Sequence, residues 1–206
     1  MDPILFLVIP IIIISIILHE VAHGWSALFL GDRTALNAGR LTINPLSHLD
    51  PIGSVLLPLL TAVSTGFVLG YAKPVPYEPR NLRPVTALGK NWSEALVAFS
   101  GPATNFVLAV IFAVIYHIMS GPAISSTPLV LQGLQLVVLL NIFLGLLNLI
   151  PVPPLDGSKI VFTFLRYDMR RFLERYQMIL IIVALLVVIS TPVLEIPSRF
   201  IFDLLI

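Results

Sequence analysis

Residues 4–30 read ILFLVIPIIIISIILHEVAHGWSALFL, and this stretch decides the class of fold. Its only formally charged side chain is Glu20. A helix needs roughly 20 apolar residues to cross the bilayer hydrocarbon, so the stretch predicts a transmembrane helix. It lacks the basic n-region and the small-residue cleavage site of a signal peptide, so we expect the helix to be retained.

The composition of the whole chain agrees with a membrane protein. Of the 206 residues, 57% are hydrophobic and 11% are charged, and the mean hydropathy is +0.99. A soluble domain usually carries about 25% charged residues, so an ordinary soluble enzyme and a disordered chain are excluded. The net charge of +1 offers no basic surface for nucleic acid. The absence of cysteine excludes disulfides, thiolate metal sites and cysteine nucleophiles.

Further membrane segments are visible as gaps between charged residues. Helices are predicted over 95–119, 129–150 and 176–194, and the Gly- and Pro-containing stretch 120–128 separates the first two. The apolar stretch 51–71 is long enough to span, but its five Gly and Pro residues also suit a re-entrant path. The predicted class is an all-α polytopic membrane protein with about four full transmembrane helices, one re-entrant or additional membrane segment and a short β-prone loop.

Basic residues orient these helices, because Lys and Arg favour the cytoplasmic side. If 51–71 does not fully cross, eleven of the twelve basic residues share one side. If it crosses, the basic residues within 33–90 and 159–175 cannot all lie on one side. We therefore favour a re-entrant segment and an N-terminus on the outside. Residues 31–93 then form a cytoplasmic loop with a membrane-embedded segment, and 151–175 form a cytoplasmic connector. We expect one membrane-embedded domain over 1–206, in a prokaryotic cytoplasmic membrane.

Two histidines and an acid interrupt the first predicted helix, in the order His19-Glu20-Val21-Ala22-His23. The i, i+4 spacing puts both imidazoles on one face about a turn apart, which suits two ligands to one tetrahedral zinc. Glu20 is then within reach of the metal site as a general base. The alternative is a chance match, but an unpartnered polar group in an apolar setting costs about 1 kcal/mol or more. The context therefore favours a metal site.

A second isolated acid, Asp156, follows the proline-rich break at 151–154. Catalytic zinc takes three protein ligands and keeps one open position, so two histidines leave one ligand missing. The alternative is an aspartate that caps the following helix. In the predicted topology the two histidines, Asp156 and the polar stretch 100–105 all lie towards the cytoplasmic leaflet. We therefore favour Asp156 as the third ligand.

The chain resembles the site-2 protease family of intramembrane zinc metalloproteases. The resemblance rests on His19-Glu20-x-x-His23, Gly101-Pro102-x-x-Asn105 and Asn148-x-x-Pro151-x-Pro153-x-Leu155-Asp156-Gly157. A compact subgroup is also similar over 39–53 and 72–76, and no PDZ or CBS domain is visible in the chain. The resemblance implies one Zn²⁺ per chain held by His19, His23 and Asp156, with Glu20 as the catalytic base.

The resemblance also implies roles for residues near the metal. It makes Asn148 a catalytic candidate that holds the substrate strand or the oxyanion. Gly101, Pro102 and Asn105 become candidates for packing or substrate binding. His48, from its residue type, is a candidate for another ligand, for a proton shuttle, or for a residue that gates or binds substrate near the cytoplasmic mouth. A solvated or hydrogen-bonded histidine is commoner in a polar loop.

The run Arg40-Leu41-Thr42-Ile43 is β-prone. Peptide bonds within an intact helix are hidden, so a substrate must become extended to be cleaved. The run could offer such a substrate a strand edge, or it could belong to a structural hairpin.

The motifs and the resemblance together predict an intramembrane zinc metalloendopeptidase. The resemblance implies that it cleaves membrane proteins in or near their transmembrane segments, as in regulated intramembrane proteolysis. The alternative is a non-catalytic membrane metal-binding protein or transporter. Transporters usually carry more ionisable residues along a path, and often repeated halves. Here the ionisable residues form one compact group, and this group includes Glu20, an acid that metal transport would not need. The expected partners are the lipid bilayer and a substrate helix, without nucleic acid, and the sequence does not indicate the oligomeric state.

Overall fold

A computed structural model of the chain describes residues 3–50, 56, 73–85, 90–121 and 127–206, and within them it is all-helical with no strand. The long helices are α1 (Pro3–Phe29), α3 (Lys90–Ser120) and α4 (Pro128–Asn148). The shorter ones are α2 (Thr34–Asn37), α5 (Asp156–Phe162), α6 (Tyr167–Arg175), α7 (Gln177–Ser190) and α8 (Glu195–Leu205). Single 3₁₀ turns lie at Pro45–His48 and Pro79–Asn81.

Three helices are long and apolar enough to cross a membrane. They are α1, α3 from Trp92 onward, and α4, with 27, 29 and 21 residues and mean hydropathies of 2.8, 1.9 and 2.2. The count becomes four if α6 and α7, which meet at an angle of 73°, form one broken span. No side chain of α7 is buried, and Ile189 is 81% exposed. Apolar side chains that the protein leaves uncovered fit a lipid environment. The predicted membrane segment at 51–71 lies outside the described residues, apart from Leu56.

The predicted helices at 4–30, 95–119 and 129–150 correspond to α1, α3 and α4. The predicted helix at 176–194 is shorter in the structure, because α7 ends at Ser190 and Thr191 is extended. Thr191 precedes Pro192, and a residue before proline avoids the helical conformation. The chain resumes a helix, α8, that the sequence analysis did not predict.

The β-prone run at 40–43 forms no strand and bends instead. The carbonyl oxygen of Thr42 accepts a hydrogen bond from Nε2 of His48, at 2.8 Å. The side chain of Asn44 accepts one from the backbone N–H of Leu46, at 3.1 Å, and so caps the 3₁₀ turn. These local bonds close the chain into a tight loop and override the β propensity of the run.

Helix α3 is central, with α1, α4 and α5 packed around it, while α8 packs on α4. Small residues allow α3 and α4 to approach closely, since Ala109 and Ala113 lie against Val138 and Ile142. Helices in a bilayer associate through such small contact residues, because lipid supplies little hydrophobic drive. The packing brings the start of α3 beside the C-terminal half of α1, where both histidines lie.

The buried carboxylate of Asp32, just after α1, connects two distant segments of the chain by hydrogen bonds. Asp32 is fully buried, and it accepts hydrogen bonds from the backbone N–H groups of Thr34 and Glu78 and from the side chains of Thr34 and Asn81. Burial by itself raises the pKa of Asp32, but the hydrogen bonds outweigh it and hold the pKa below its usual value. Asp32 thereby ties the end of α1 to residues 78–81 and guides the path of residues 73–78.

We expect Asp32→Ala to lower the free energy of unfolding by about 2 kcal/mol at neutral pH, because several donors lose an ionised acceptor. The contribution needs the charged form, so it is complete above about pH 4 and is lost as the pH falls through the lowered pKa of the folded state. Thermal unfolding of both proteins in detergent at neutral and acidic pH measures the effect. A stability difference that does not shrink in acid would contradict this role of the charge.

Candidate metal centre

Three side chains from α1 and α5 converge on one point. Nε2 of His19 lies 3.1 Å from Nε2 of His23 and 3.1 Å from Oδ2 of Asp156, and Nε2 of His23 lies 3.3 Å from the same Oδ2. These three atoms form the ligand triangle. The two imidazoles project from successive turns of α1, with their planes at 86° to each other. Both histidines are buried, and Asp156 is half-buried. Among the described residues, this is the group that could hold a metal ion.

The outer nitrogen of each imidazole is engaged by α3. Nδ1 of His19 donates to Oδ1 of Asn105 at 2.6 Å, and Nδ1 of His23 donates to the carbonyl oxygen of Val97 at 2.8 Å. Because both partners are acceptors, each neutral imidazole carries its proton on Nδ1 and presents a lone pair at Nε2. Such outer hydrogen bonds fix the orientation of the rings and raise their basicity as ligands.

The three converging atoms fit a zinc ion. Tetrahedral zinc with nitrogen and oxygen ligands at about 2.0–2.2 Å holds them about 3.3 Å apart, close to the observed triangle. Oδ2 of Asp156 is buried without a hydrogen-bond partner, although both Nε2 atoms lie near it. A metal cation between two imidazole lone pairs and a carboxylate oxygen would satisfy all three. Two histidines and one carboxylate are also a common ligand set of catalytic zinc.

Asp156 is positioned by the break before it and the glycine after it. The N-cap of α5 is Leu155, and no side chain caps this helix, which speaks against the capping alternative for Asp156. A Cβ at Gly157 would lie within 2.6 Å of the carbonyl oxygens of Leu149 and Ile150. Only glycine lets α5 begin this close to the end of α4, and this close approach places Asp156 opposite the histidines.

Gly101 lies directly over the ligand atoms. A Cβ at this position would come 2.6 Å from Nε2 of His19, and closer still to Nε2 of His23. The neighbouring Pro102 is fully buried within α3. The glycine therefore leaves room for the metal site between α1 and α3, and a substrate-binding role for either residue stays a prediction.

Asn105 is almost fully buried behind His19, and its role in substrate binding also stays a prediction. Its Nδ2 donates to Oδ1 of Asn141 at 3.2 Å, and Nδ2 of Asn141 donates to the carbonyl oxygen of Val137 at 2.9 Å. Asn141 was not among the residues predicted from the sequence. The signal was present, because an asparagine inside the apolar run 129–150 needs a partner when it is buried.

We expect Asn105→Leu to weaken zinc binding by about tenfold or more, because His19 loses the acceptor that fixes its tautomer and orientation. Competition with a chromogenic chelator measures the affinity in detergent. Thr104→Val is the matched control, since the Thr104 hydroxyl donates to the carbonyl oxygen of Ser100 within α3. Equal zinc affinities for Asn105→Leu and the wild type would exclude this orienting role.

Glu20 lies on α1 between the two histidines and is half-buried. Its Oε2 accepts a hydrogen bond from the backbone N–H of Val75, at 3.0 Å. Glu20 is therefore not one of the three converging ligands, although it lies between two of them on α1.

Asn148 and His48 make local contacts. Asn148 is the last residue of α4, and its Nδ2 donates to the carbonyl oxygen of Leu144 at 3.0 Å. His48 is 2% exposed and closes its own loop through Thr42, so it does not join the ligand group. The catalytic role of Asn148 and the substrate-binding role of His48 stay predictions.

Comparison with known proteins adds independent information. Peptidase family M50 matches residues 117–191, a range that includes Asp156. A Bacillus subtilis (strain 168) protein named "Putative zinc metalloprotease YwhC" is 36% identical over 160 residues, which cover 76% of this chain and 67% of the relative. A Mycolicibacterium smegmatis protein named "Putative zinc metalloprotease Rip2" is 30% identical over 198 residues, which cover 93% of this chain and 68% of the relative. No solved structure matches the chain.

Proposed function

Because the chain belongs to peptidase family M50, the site-2 protease family, we propose that it is an intramembrane zinc metalloendopeptidase. In this proposal His19, His23 and Asp156 hold one Zn²⁺, and Glu20 is the general base. The observation that carries the proposal is the triangle of two imidazole nitrogens and one carboxylate oxygen, in which both imidazoles come from a helix apolar enough to span a membrane.

A zinc ion at this site would polarise the scissile carbonyl and lower the pKa of the attacking water to about 7. Glu20 accepts the proton of that water and returns it to the leaving amine. Asn105 and the carbonyl of Val97 keep both imidazoles in the tautomer that binds a metal. Asn148 uses one N–H of its amide on the carbonyl of Leu144, which leaves the second N–H for the oxyanion.

The substrate in this proposal is a membrane protein whose cleaved bond lies in or near a transmembrane segment. Both histidine ligands lie on a helix of spanning length, so the bond must reach them from within the bilayer or from its edge. We place the site towards the cytoplasmic leaflet of a prokaryotic cytoplasmic membrane, on the side that carries most of the basic residues. The proposed unit is one domain over 1–206, with residues 51–71 as a re-entrant or additional segment.

A transporter is less well supported. A transport path needs successive sites across the membrane. In the part of the chain that the structure describes, the cluster of two histidines and Asp156 is the one group with the geometry of a metal site.

Removal of the metal tests the proposal. The purified protein is reconstituted in liposomes with a single-helix reporter, and cleavage is followed by gel electrophoresis. We expect 1,10-phenanthroline to stop cleavage and added Zn²⁺ to restore it, because Glu20 alone cannot activate water at neutral pH. Cleavage that continues after the zinc content has fallen to zero would overturn the proposal.

A further inference from the structure

We propose that the backbone of residues 73–75, held by the buried guanidinium of Arg40, positions the carboxylate of Glu20 for catalysis. The inference rests on the proposed function and assigns roles to Val75 and Arg40. Glu20 remains the catalytic residue, and Val75 and Arg40 are positioning residues that act through it.

The first observation is the hydrogen bond from the N–H of Val75 to Oε2 of Glu20, at 3.0 Å. Val75 stands between Pro74 and Pro76, which have no N–H, so it supplies the one backbone donor of this tripeptide. The residue before each proline is also biased to extended backbone. The sequence Pro-Val-Pro therefore presents a single donor from a stiff segment.

The second observation is that this segment packs directly on α1. Val75 is 5% exposed, whereas both flanking prolines are exposed. A Cβ at Gly24 would lie 2.8 Å from Cγ1 of Val75, so the valine side chain fills the space over this glycine. Gly24 lies one turn beyond Glu20 on α1. The contact of Val75 with Gly24 therefore fixes the position along α1 at which the Val75 N–H meets the Glu20 carboxylate.

The third observation is the buried cation behind the segment. Arg40 is 9% exposed, and its Nη2 donates to the carbonyl oxygens of Lys73 and Pro74, at 2.8 and 3.4 Å. The N–H of Lys73 donates to the carbonyl oxygen of His48, at 2.9 Å. A buried guanidinium is costly unless its donors are used. Here Nη2 binds consecutive carbonyls of one segment, while Nε is buried without a partner among the described residues. The loop 39–48 thus anchors the segment that contacts Glu20.

This arrangement suits a general base. A glutamate has several rotatable bonds, and holding one carboxylate oxygen restricts its orientation while the other oxygen stays available for the proton. A catalytic group displaced by about 1 Å can lose about a hundredfold in rate. The Val75 N–H supplies the restriction, and Arg40 keeps that N–H in place.

Two substitutions at Val75 separate the backbone donor from the side chain. Val75→Pro removes the N–H and keeps the extended conformation, whereas Val75→Ala keeps the N–H and removes two methyl groups. We expect kcat of Val75→Pro on the reporter to fall by about tenfold or more with KM unchanged. The fall for Val75→Ala should be smaller, because the N–H is kept and only the packing on Gly24 is lost. Both variants should bind zinc with wild-type affinity. Equal kcat values for the two variants, with zinc affinity retained, would overturn the inference.

Substitution of Arg40 gives a second test if Val75→Pro does not fold. Arg40→Lys keeps the charge, but its Nζ ends one bond short of the position of Nη2, and Arg40→Gln loses the charge. We expect kcat to fall in the order wild type, Arg40→Lys, Arg40→Gln, with zinc affinity unchanged. An Arg40→Gln variant that folds and cleaves at the wild-type rate would contradict the positioning role of Arg40.

Amide hydrogen exchange at Val75 tests the contact without any activity, using NMR of ¹⁵N-valine-labelled protein in micelles. We expect Glu20→Ala to speed this exchange by about tenfold, the equivalent of one lost hydrogen bond. Glu20→Gln should leave it nearly unchanged, because the amide oxygen still accepts. Fast exchange in the wild type would overturn the contact even if the enzyme cleaves. If the wild type exchanges slowly but does not cleave, the proposed function fails, and the catalytic role of the contact fails with it.

Discussion

Replacing Glu20 with glutamine is expected to lower the cleavage rate by about a hundredfold to ten-thousandfold while zinc stays bound. The side-chain amide of a glutamine cannot accept the proton of the attacking water or return it to the leaving amine. Glutamine has nearly the same shape as glutamate, and its oxygen can still accept the Val75 N–H. Glu20 also lies outside the ligand triangle. The change therefore removes the base and leaves the metal site in place.

The matched control is Glu94→Gln. Glu94 is a half-buried acid near the start of α3, and it pairs with Lys159 of α5 at 3.5 Å. Its loss removes an acid at a helix contact without touching the ligands. We expect this variant to keep most of the activity, and zinc content is measured for both variants alongside the reporter rates. Wild-type cleavage by Glu20→Gln would remove Glu20 from the mechanism.

The parts of the structure that the sequence predicts well depend on local patterns. The spacing of His19 and His23 and the apolar run around them determine a helix with two imidazoles on one face. Asp156 could be identified by counting ligands, although no local pattern shows which atoms it approaches. Its contact with the histidines depends on the packing of α5 against α3 and on the close approach of Gly157 to the residues that follow α4.

The unpredicted features depend on backbone groups and on long-range packing. The carbonyl of Val97 holds His23, and the N–H of Val75 holds Glu20, yet every residue carries such groups. The buried contacts of Arg40 depend on a loop whose β-prone residues suggested a strand. Helix α8 was missed because Glu195 and Arg199 interrupt its apolar pattern, although the two form an ion pair at 2.8 Å along the helix.

The second large effect is expected from Asp156→Ala, which should strongly weaken zinc binding. Loss of a residue that hydrogen-bonds to a ligand typically costs roughly 10- to 100-fold in metal affinity, and loss of the ligand itself should cost more. The substitution removes the only charged ligand of the triangle and leaves two neutral imidazoles to hold a divalent cation. Its effect on the folding of the metal-free protein should be small, because Asp156 caps no helix.

Chelator competition and zinc analysis of the purified protein measure this loss, and Asp168→Ala serves as the control. Asp168 also lies in the first turn of a helix, α6, so it matches Asp156 in residue type and helix position but lies outside the metal group. Asp156→Asn separates charge from shape, since its oxygen can still bind a metal while the negative charge is gone. We expect its zinc affinity to lie between those of Asp156→Ala and the wild type. Unchanged zinc affinity in Asp156→Ala would show that the two histidines bind the metal with some other ligand.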